Sequence, residues 1–270
     1  MKTSCMMTGM AVTLLVLCSC SVKEDRSLCP CYVDLIVDEF VRDGFSSGTV
    51  AFSSDGFDSR DDIILADYVP DGYSVAVPRR EVKAACVCGL DKSHVSGNSI
   101  YIPAGEASDP IMSYRELFLP HGDEHRLYAV PHKQYCRVDF LLENPMEGYP
   151  YIFRVRGDCS GLDIFDLQPV RGSFSTLVYP NTLGEYRTLL LRQSSDSSLF
   201  LDVLLPAGDS EADWELQYTV SLSDAMAAVY YDWTKEDLDD ISLRVDYARA
   251  EVTVEISEWE GSENDKNVEI

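Results

Sequence analysis

The sequence has few basic residues for its length. It holds 22 lysines and arginines against 46 aspartates and glutamates in 270 residues, which gives a formal net charge of −24 at pH 7. Because such a surface repels phosphate backbones, and because no stretch gathers basic residues into a stripe, nucleic acid is a poor partner. Hydrophobic residues still make up 46% of the chain. That share is enough to build a core, and it predicts a folded protein.

Helical periodicity is also nearly absent. Polar and apolar residues instead alternate with a period of two, as in YVDLIVDEF, where Val33, Leu35 and Val37 share one face. Runs of this kind recur roughly every 8–15 residues with Gly, Pro, Asn and Asp between them, which is typical of an all-β sandwich. The end of the chain predicts a hairpin with a break at residues 248–250.

The length of the chain favours two sandwiches over one. The best boundary is the segment YAVPHKQ, residues 128–134, which lies between strand clusters and carries a proline. We therefore predict an N-terminal β-sandwich over residues 29–130 and a C-terminal β-sandwich over residues 131–270.

Only one apolar run stands out, at residues 10–17, and it is too short to span a bilayer as a helix. It follows the single cation Lys2 and ends in LCSC, which places a leucine at −3 and a serine at −1 relative to Cys20. This is the pattern of a lipoprotein signal in which Cys20 is cut free and lipidated. An ordinary signal peptide with an incidental cysteine is the alternative.

Cleavage before Cys20 would divide the start of the chain into two parts. Residues 1–19 would be the signal peptide, and residues 20–28 a lipidated tether. Directly after Cys20, SVKED resembles the surface-export signal of Bacteroidetes lipoproteins, although a plain solvated tether has a similar composition. We expect an outer-membrane protein that is held by its lipid chains and faces the cell exterior.

Besides Cys20, six cysteines remain in the mature chain, and an even count in an exported protein suggests disulfides. The midpoint between Cys136 and Cys159 falls inside the turn-like ENPMEGYP, residues 143–150, so a hairpin that turns at that midpoint would pair them across its strands. The other four cysteines form two C-x-C pairs, Cys29 with Cys31 and Cys86 with Cys88. These could form cross-strand disulfides, remain buried free thiols or bind zinc, although structural zinc usually takes C-x₂₋₄-C knuckles.

No motif indicates catalysis or a cofactor. GDCSG around Cys159 has the spacing of a nucleophile elbow, but no helix follows it, so we expect a glycine-bounded turn. His121 and His125 would suit a metal only on a helix, and FLPHGDEHR indicates an exposed loop. The acidic clusters DDI, DLDD and EWEGSENDK are interpreted as solvated edges and tails. We predict a protein that is not an enzyme, with no catalytic residue, no metal and no cofactor.

The start of the mature chain carries a family resemblance. A lipoprotein cysteine, a short acidic tether and the CPC of DRSLCPCYVDLIV resemble the FimB/Mfa2 family of fimbrial anchor lipoproteins of Bacteroidetes. The ending DLDDISLRVDYARAEVTVEISEWE, with Trp259, is similar to that family in pattern. The resemblance implies two tandem transthyretin-like β-sandwiches. It also implies the base subunit of a fimbria (pilus), which holds a fimbrillin stalk subunit by β-strand donation.

The same resemblance bears on the first strand. Stalk subunits of this kind are matured by protease removal of an N-terminal strand, but the same cut here would sever the lipid, so we expect this chain to keep its first strand. That strand starts only about nine residues after Cys20, so the tether reaches no more than about 30 Å. The first sandwich should therefore stand close to the membrane.

A surface glycan- or ligand-binding lipoprotein is the alternative function. It would need an exposed aromatic platform in a cleft. Three tryptophans could supply one: Trp214, Trp233 and Trp259. We expect these residues to lie in the core or on a sheet face instead.

Overall fold

Strands make up most of the folded chain. The structure, a computed structural model, describes residues 29–144, 151–207 and 214–259. The predicted signal peptide, Cys20 and the predicted tether lie outside the described residues. Within these ranges the chain forms 18 β-strands, two short α-helices and one 3-10 helix. The all-β prediction is confirmed.

The first half of the chain contributes ten strands. They are β1 (Cys31–Ile36), β2 (Ser47–Ser54), β3 (Phe57–Ile64), β4 (Tyr73–Val77), β5 (Val82–Cys88), β6 (His94–Ser96), β7 (Ser99–Tyr101), β8 (Met112–Phe118), β9 (Glu124–Tyr128) and β10 (His132–Lys133). Helix α1 (Asp38–Arg42) follows β1, and the 3-10 helix (Leu65–Tyr68) follows β3.

Two sheets of this half pack face to face and form the first sandwich. One has the strand order β4-β1-β9 and the other β10-β8-β5-β2-β3. The alternation seen in the sequence places Val33 and Leu35 of β1 in the core, where they meet Val50 and Phe52 of β2. All four side chains are almost fully buried. The pairing of β1 with β9 is parallel, whereas β1 and β4 are antiparallel.

The second half contributes the remaining eight strands. They are β11 (Tyr135–Glu143), β12 (Ile152–Asp163), β13 (Pro169–Val178), β14 (Tyr186–Leu191), β15 (Leu199–Pro206), β16 (Trp214–Ser221), β17 (Asp240–Asp246) and β18 (Glu251–Ser257). Helix α2 (Leu222–Ala228) follows β16, and its N-cap Ser221 accepts a hydrogen bond from the Asp224 backbone N–H.

The second sandwich consists of the sheet β14-β11-β17-β18 and a sheet in which β12 pairs with β13 on one side and with β15 on the other, followed by β16. Its core holds Val138 of β11, Val155 of β12 and Leu201 of β15, each 0% exposed. The predicted hairpin at the end of the chain is confirmed, because Val245 of β17 pairs with Val252 of β18 across a turn.

The two sandwiches share one topology. The first strand of each pairs antiparallel with the fourth and parallel with a late strand: β1 with β4 and β9, and β11 with β14 and β17. The second strand of each pairs with the third and the fifth: β2 with β3 and β5, and β12 with β13 and β15. The second sandwich adds one strand, β18, on the outer edge of β17. The chain is therefore a structural duplication that its sequence does not display.

A third apolar cluster joins the two sandwiches. Hairpin β6–β7, from the first half, extends the sheet of the second by pairing β7 with residues 161–163 of β12. Ala85 and Val87 of β5 pack there against Ile100 and Leu162. The predicted domain limit at residues 130/131 falls just before β10, which still pairs with β8 of the first sandwich.

Candidate functional site

The structure corrects the predicted Cys136–Cys159 pair. β11, which carries Cys136, pairs with β14 and β17, whereas β12, which carries Cys159, belongs to the opposite sheet. The two strands are therefore not a hairpin, because the chain crosses from one sheet of the sandwich to the other between them. Both thiols are free and buried. Burial raises the pKa of the Cys136 thiol to about 12, and the Cys159 Sγ lies 3.1 Å from the Ser197 Oγ.

The expectation that GDCSG forms a turn is also wrong. Gly157 and Gly161 lie inside β12, and the register of β12 on β13 shifts on either side of Cys159. The glycines leave room for close neighbours, since a Cβ at Gly161 would lie 2.5 Å from the Ile100 carbonyl oxygen. The motif is therefore part of a bulged strand, and hairpin β6–β7 pairs with the end of that strand.

The four C-x-C cysteines do not gather around one point. Cys31, Cys86 and Cys88 are buried free thiols in the first core, whereas Cys29 is exposed. Cys86 and Cys88 share a face of β5 as predicted, and the pKa of Cys88 is raised by its hydrogen bond with Cys86 and by burial. Within the described ranges, no group of three or more His, Cys, Asp or Glu side chains is placed to hold a metal ion.

The two histidines of HGDEH have different surroundings. His121 is exposed in the loop between β8 and β9, as predicted. His125 instead belongs to β9, and its ring stacks on Phe118 with centroids 5.1 Å apart. The loop prediction is therefore wrong at His125.

The outer edge of β9 is open. Toward β1, the Tyr32 backbone N–H donates to the Asp123 carbonyl and the Ala129 N–H donates to the Ile36 carbonyl, each at 2.9 Å. Because backbone groups alternate along a strand, those of Glu124, Arg126 and Tyr128 point to the other edge. In the part of the chain that the structure describes, no strand pairs with that edge.

Aromatic side chains flank this edge. Tyr128 on β9 is 66% exposed and Tyr32 on β1 is 55% exposed, and both lie on the solvent face of the sheet. Val130, two positions further along the chain, is 43% exposed. Exposed tyrosines beside an unpaired strand edge are typical of a protein interface.

Arg79 ties the start of the described chain to the start of β9. Its Nε donates to the Cys29 carbonyl at 2.9 Å, its Nη2 contacts the Asp123 Oδ1 at 2.6 Å, and its Nη1 donates to the Gly122 carbonyl. The Arg79 side chain is only 15% exposed. The chain therefore enters the first sandwich directly beside the beginning of the open strand.

An aromatic groove lies on the outer face of the second sandwich. It has a volume of about 700 Å³. Tyr179 and Trp214 meet edge to face at its mouth, with ring centroids 6.4 Å apart. The groove is further lined by Gly105, Arg154, Ser175, Leu177, Leu204 and Leu216. The predicted placement of Trp214 on a sheet face is confirmed, and the face is an open one.

A buried carboxylate organises the charges beside this groove. Asp202 is 0% exposed and accepts hydrogen bonds from Arg154 Nη2 at 2.6 Å, Arg156 Nε at 3.0 Å and Thr219 Oγ1 at 2.6 Å. Burial alone would raise the pKa of Asp202, but these donors outweigh it and hold the pKa below its ordinary value. One carboxylate thus orients two guanidinium groups on the outer face of β12.

The other two tryptophans lie elsewhere. Trp233 packs edge to face on Tyr231 with centroids 4.6 Å apart, at the wall of a crevice of about 620 Å³ between the sandwiches. Buried Arg192 fixes that wall by donating to the carbonyls of Trp233 and Lys235. Burial lowers the pKa of Arg192 to about 10. Trp259 packs against the first core.

The interpretation of the acidic cluster DLDD, residues 237–240, as solvated is wrong for its last two residues. Asp239 and Asp240 are 6% and 5% exposed. The Asp240 carboxylate binds Lys133 Nζ at 2.6 Å and Arg137 Nη2 at 3.1 Å, and Lys133 is itself fully buried. The sequence signal for this burial is the pair of basic residues near the predicted boundary, Lys133 and Arg137. The fold brings both of them to Asp240.

Among known proteins, the comparisons find similarity in structure but not in sequence. No protein-family model and no curated protein matches the sequence.

Among the helices that the structure describes, none has the length and apolar character to cross a bilayer.

Solved structures are similar over most of the chain. The fimbrial anchor protein Mfa2 from Porphyromonas gingivalis aligns with a TM-score of 0.57 at 10% identity, over 86% of this chain and 98% of that one. A candidate adhesin from Bacteroides ovatus aligns with a TM-score of 0.56 at 11% identity, over 86% and 94%. A candidate polysaccharide-binding protein from Bacteroides thetaiotaomicron aligns with a TM-score of 0.54 at 10% identity, over 86% and 98%. The resemblance carried by the sequence is thus confirmed for the fold, and this chain has the fold of the fimbrial anchor protein Mfa2.

Proposed function

We propose that this protein is a cell-surface lipoprotein that anchors a fimbria to the outer membrane and is not an enzyme. Lipidated Cys20 would hold the membrane, and the folded part would bind a fimbrillin stalk subunit through a donated β-strand. The similar structures, which include a fimbrial anchor protein and a candidate adhesin, support this proposal.

The observation that carries the proposal is the position of β1. This strand lies between β4 and β9, and its Val33 and Leu35 are 0% exposed. Each such side chain contributes about 1.5–3 kcal/mol through burial, so the sandwich depends on β1. β1 begins eleven positions after Cys20. A lipid at Cys20 would therefore be joined to the folded domain through a central strand, as a membrane anchor requires.

Co-purification tests this function. The protein is tagged at its C-terminus, and the outer membrane is solubilised in mild detergent. We expect a ladder of fimbrillin subunits with the wild type, and shedding of fimbriae into the medium with Cys20→Ala. Cys18→Ala is the matched control, because it removes a neighbouring signal-peptide cysteine and leaves the lipidation site. Recovery of the wild-type protein alone, or equal retention of fimbriae by Cys20→Ala, would contradict the proposal.

A second function is favoured by the aromatic groove. Tyr179 and Trp214, with Arg154 and Ser175 beside them, offer the stacking surface and hydrogen-bond donors that carbohydrates use. One similar structure is a candidate polysaccharide-binding protein. If the groove binds glycans, Trp214→Ala will lose retention on columns of immobilised mucin glycans, whereas Tyr230→Ala, at a 90% exposed site outside the groove, will not. Equal elution of both variants and the wild type would exclude this function.

A further inference from the structure

We propose that the aromatic groove on the second sandwich binds an acidic glycan, and that a carboxylate of this glycan pairs with Arg154. This inference rests on the glycan-binding function proposed above for the groove and names the class of glycan. It follows from the charges around the groove, the free donors of Arg154 and the spacing between Arg154 and the aromatic rings.

The lining of the groove carries no negative charge, although the protein is strongly acidic. The chain has 46 aspartates and glutamates and a net charge of −24, yet none of these acids is among the described residues that line the groove. Asp202 beside it is fully buried and is shared by Arg154 and Arg156. Two cations thus share one anion, and this part of the outer face keeps a net positive charge. An acidic ligand, which most of the surface repels, is attracted here.

Arg154 has donors to spare and is held in place. Its Nε and Nη2 both donate to the Asp202 Oδ2, at 2.8 and 2.6 Å. That contact occupies one side of the planar guanidinium. The other side presents Nη1 and the second N–H of Nη2, two parallel donors that match the two coplanar oxygens of a carboxylate. The side chain is 37% exposed, so a molecule in the groove can reach it. Because Asp202 already orients the fork, little side-chain freedom is lost when a ligand binds.

Arg156 extends the positive charge along β12. It lies two residues beyond Arg154 and donates to the same Asp202 oxygen through Nε at 3.0 Å. Its guanidinium carbon also lies 4.6 Å from the centre of the Phe200 ring, which holds the side chain against the sheet. The second cation is therefore fixed beside the first and raises the local potential for an anion.

The spacing between Arg154 and the aromatic rings suits a carbohydrate. Leu177 of β13 is the register partner of Arg154, and Tyr179 follows two positions later, which is about 7 Å of extended chain. A sugar that stacks on Tyr179 and Trp214 would thus place an acidic group, its own or that of the next sugar, near the Arg154 fork. Between them, Leu177 and Leu216 are 38% and 49% exposed and offer contacts to the apolar faces of sugar rings.

Retention on immobilised mucin glycans tests the role of Arg154. Arg154→Gln removes the charge and the fork but keeps a hydrogen-bond donor. Arg187→Gln is the matched control, because Arg187 is 41% exposed and also pairs with a carboxylate, Asp139, but lies on the opposite sheet. We expect Arg154→Gln to bind these glycans about tenfold more weakly than the wild type, and Arg187→Gln to bind as the wild type. An equal loss in both variants would overturn the inference.

Matched glycans test the ligand on the wild-type protein and do not depend on the folding of a variant. Sialidase removes the sialic acid carboxylates of mucin glycans and leaves their sulfate esters. Polygalacturonate and its neutral methyl ester give the same comparison for uronic acids. We expect the wild type to bind the carboxylate form of at least one pair about tenfold more tightly than its neutral form, with the difference lost in 1 M salt.

Three results from these glycans would overturn the inference. The first is equal binding of the charged and neutral forms in both pairs. The second is binding that desulfation abolishes and sialidase does not, since the site would then recognise sulfate. The third is full displacement by polyglutamate at the same carboxylate concentration as the glycan, since the site would then accept an acidic protein segment.

These outcomes are separate from failure of glycan binding itself. Trp214→Ala should lose charged and neutral glycans alike, because the stacking surface serves both. If Trp214→Ala loses retention while a folded Arg154→Gln does not, the groove binds glycans through its rings alone and only the inference fails. If the wild type is retained on none of these glycans, the glycan-binding function and the inference fail together.

Discussion

The two sandwiches differ at one edge, although they share a topology. Among the residues that the structure describes, β9 ends the sheet of the first sandwich with unpaired backbone groups, whereas β18 covers the equivalent strand β17 in the second. An unpaired edge is a template for association with another chain, and proteins usually protect it. The comparison teaches that two copies of one topology can differ in edge protection, since among the described strands only the second copy carries a strand on this edge.

The junction makes the two sandwiches one unit, and breaking it should have the largest effect. Lys133 lies on β10 of the first sandwich and Asp240 on β17 of the second, with both side chains almost fully buried. Asp240→Ala leaves the Lys133 ammonium buried without its carboxylate, so we expect the free energy of unfolding to fall by about 3–5 kcal/mol in urea denaturation.

A paired substitution separates the charge from the packing at this site. Lys133→Met combined with Asp240→Leu removes both charges and should restore most of the lost stability. If Asp240→Ala alone costs less than about 1 kcal/mol, the ion pair does not join the sandwiches as described.

The apolar part of the junction should have the next largest effect. Leu162 is 0% exposed in the cluster between the sandwiches, and Leu162→Ala should cost about 3 kcal/mol. Because the loss falls on the junction, we expect calorimetry to show one unfolding transition for the wild type and two for Leu162→Ala. Leu201→Ala is the matched control, since it opens a similar cavity inside the second core and should lower one transition without dividing it. Undivided unfolding of Leu162→Ala would show that other contacts couple the sandwiches.

A smaller effect is expected at Asp202, which has no counterpart among the described buried acids of the first sandwich. Asp202→Asn should cost about 2 kcal/mol at pH 7, because its hydrogen bonds from Arg154 and Arg156 lose their charge. Since folding lowers the pKa of Asp202, its contribution is complete above its ordinary pKa of about 3.9 and is lost as pH falls through the lower folded value.

Thermal unfolding from pH 7 to pH 2 checks this sign. The difference in melting temperature between the wild type and Asp202→Asn should be constant at neutral pH and shrink in acid. Asp166→Asn, at an exposed ion pair with Lys83, should show little difference at any pH. A gap for Asp202→Asn that widens in acid would contradict the direction of the shift.

The smallest effect is expected for the charges that bridge β17 and β18. Arg244 lies 3.0 Å from Glu255 and 3.2 Å from Glu143, and all three side chains are about half exposed. Arg244→Ala should cost less than about 1 kcal/mol and should become silent in 1 M salt. A larger loss, with β18 released in amide exchange, would show that charge rather than backbone pairing and Val254 closes the second sandwich.

The sequence predicts where the strands lie better than it predicts which strands pair with each other. Period-two patterns predicted β1 and the β17–β18 hairpin correctly, because alternation and a local turn are encoded within a few residues. The Cys136–Cys159 hairpin failed because nothing in the local sequence shows that β12 crosses to the opposite sheet. The sequence does not show the duplication either, because the two copies form the same pattern of strand pairing with different side chains.

The candidate site was less accessible still. Whether β9 has an open edge depends on which strands lie next to it, and such non-local pairing leaves no pattern in the sequence around Arg126. Burial of the Asp240 carboxylate likewise depends on Lys133, more than a hundred positions away in the chain. The lipidation of Cys20 remains a prediction from sequence, because it lies outside the described residues.

The parallel course of β1 and β9 has a mechanical consequence. If the chain is held at its N-terminal side and pulled through the second sandwich, tension enters the sheet at Cys31 and leaves at Tyr128, where β9 leads on toward that sandwich. The bonds between the two strands, which pair over five residues, are then loaded in shear and resist together. Tension applied to the open end of a hairpin such as β17–β18 would instead rupture its bonds one after another. The direction of the first strand would thus set the force at which the first sandwich opens.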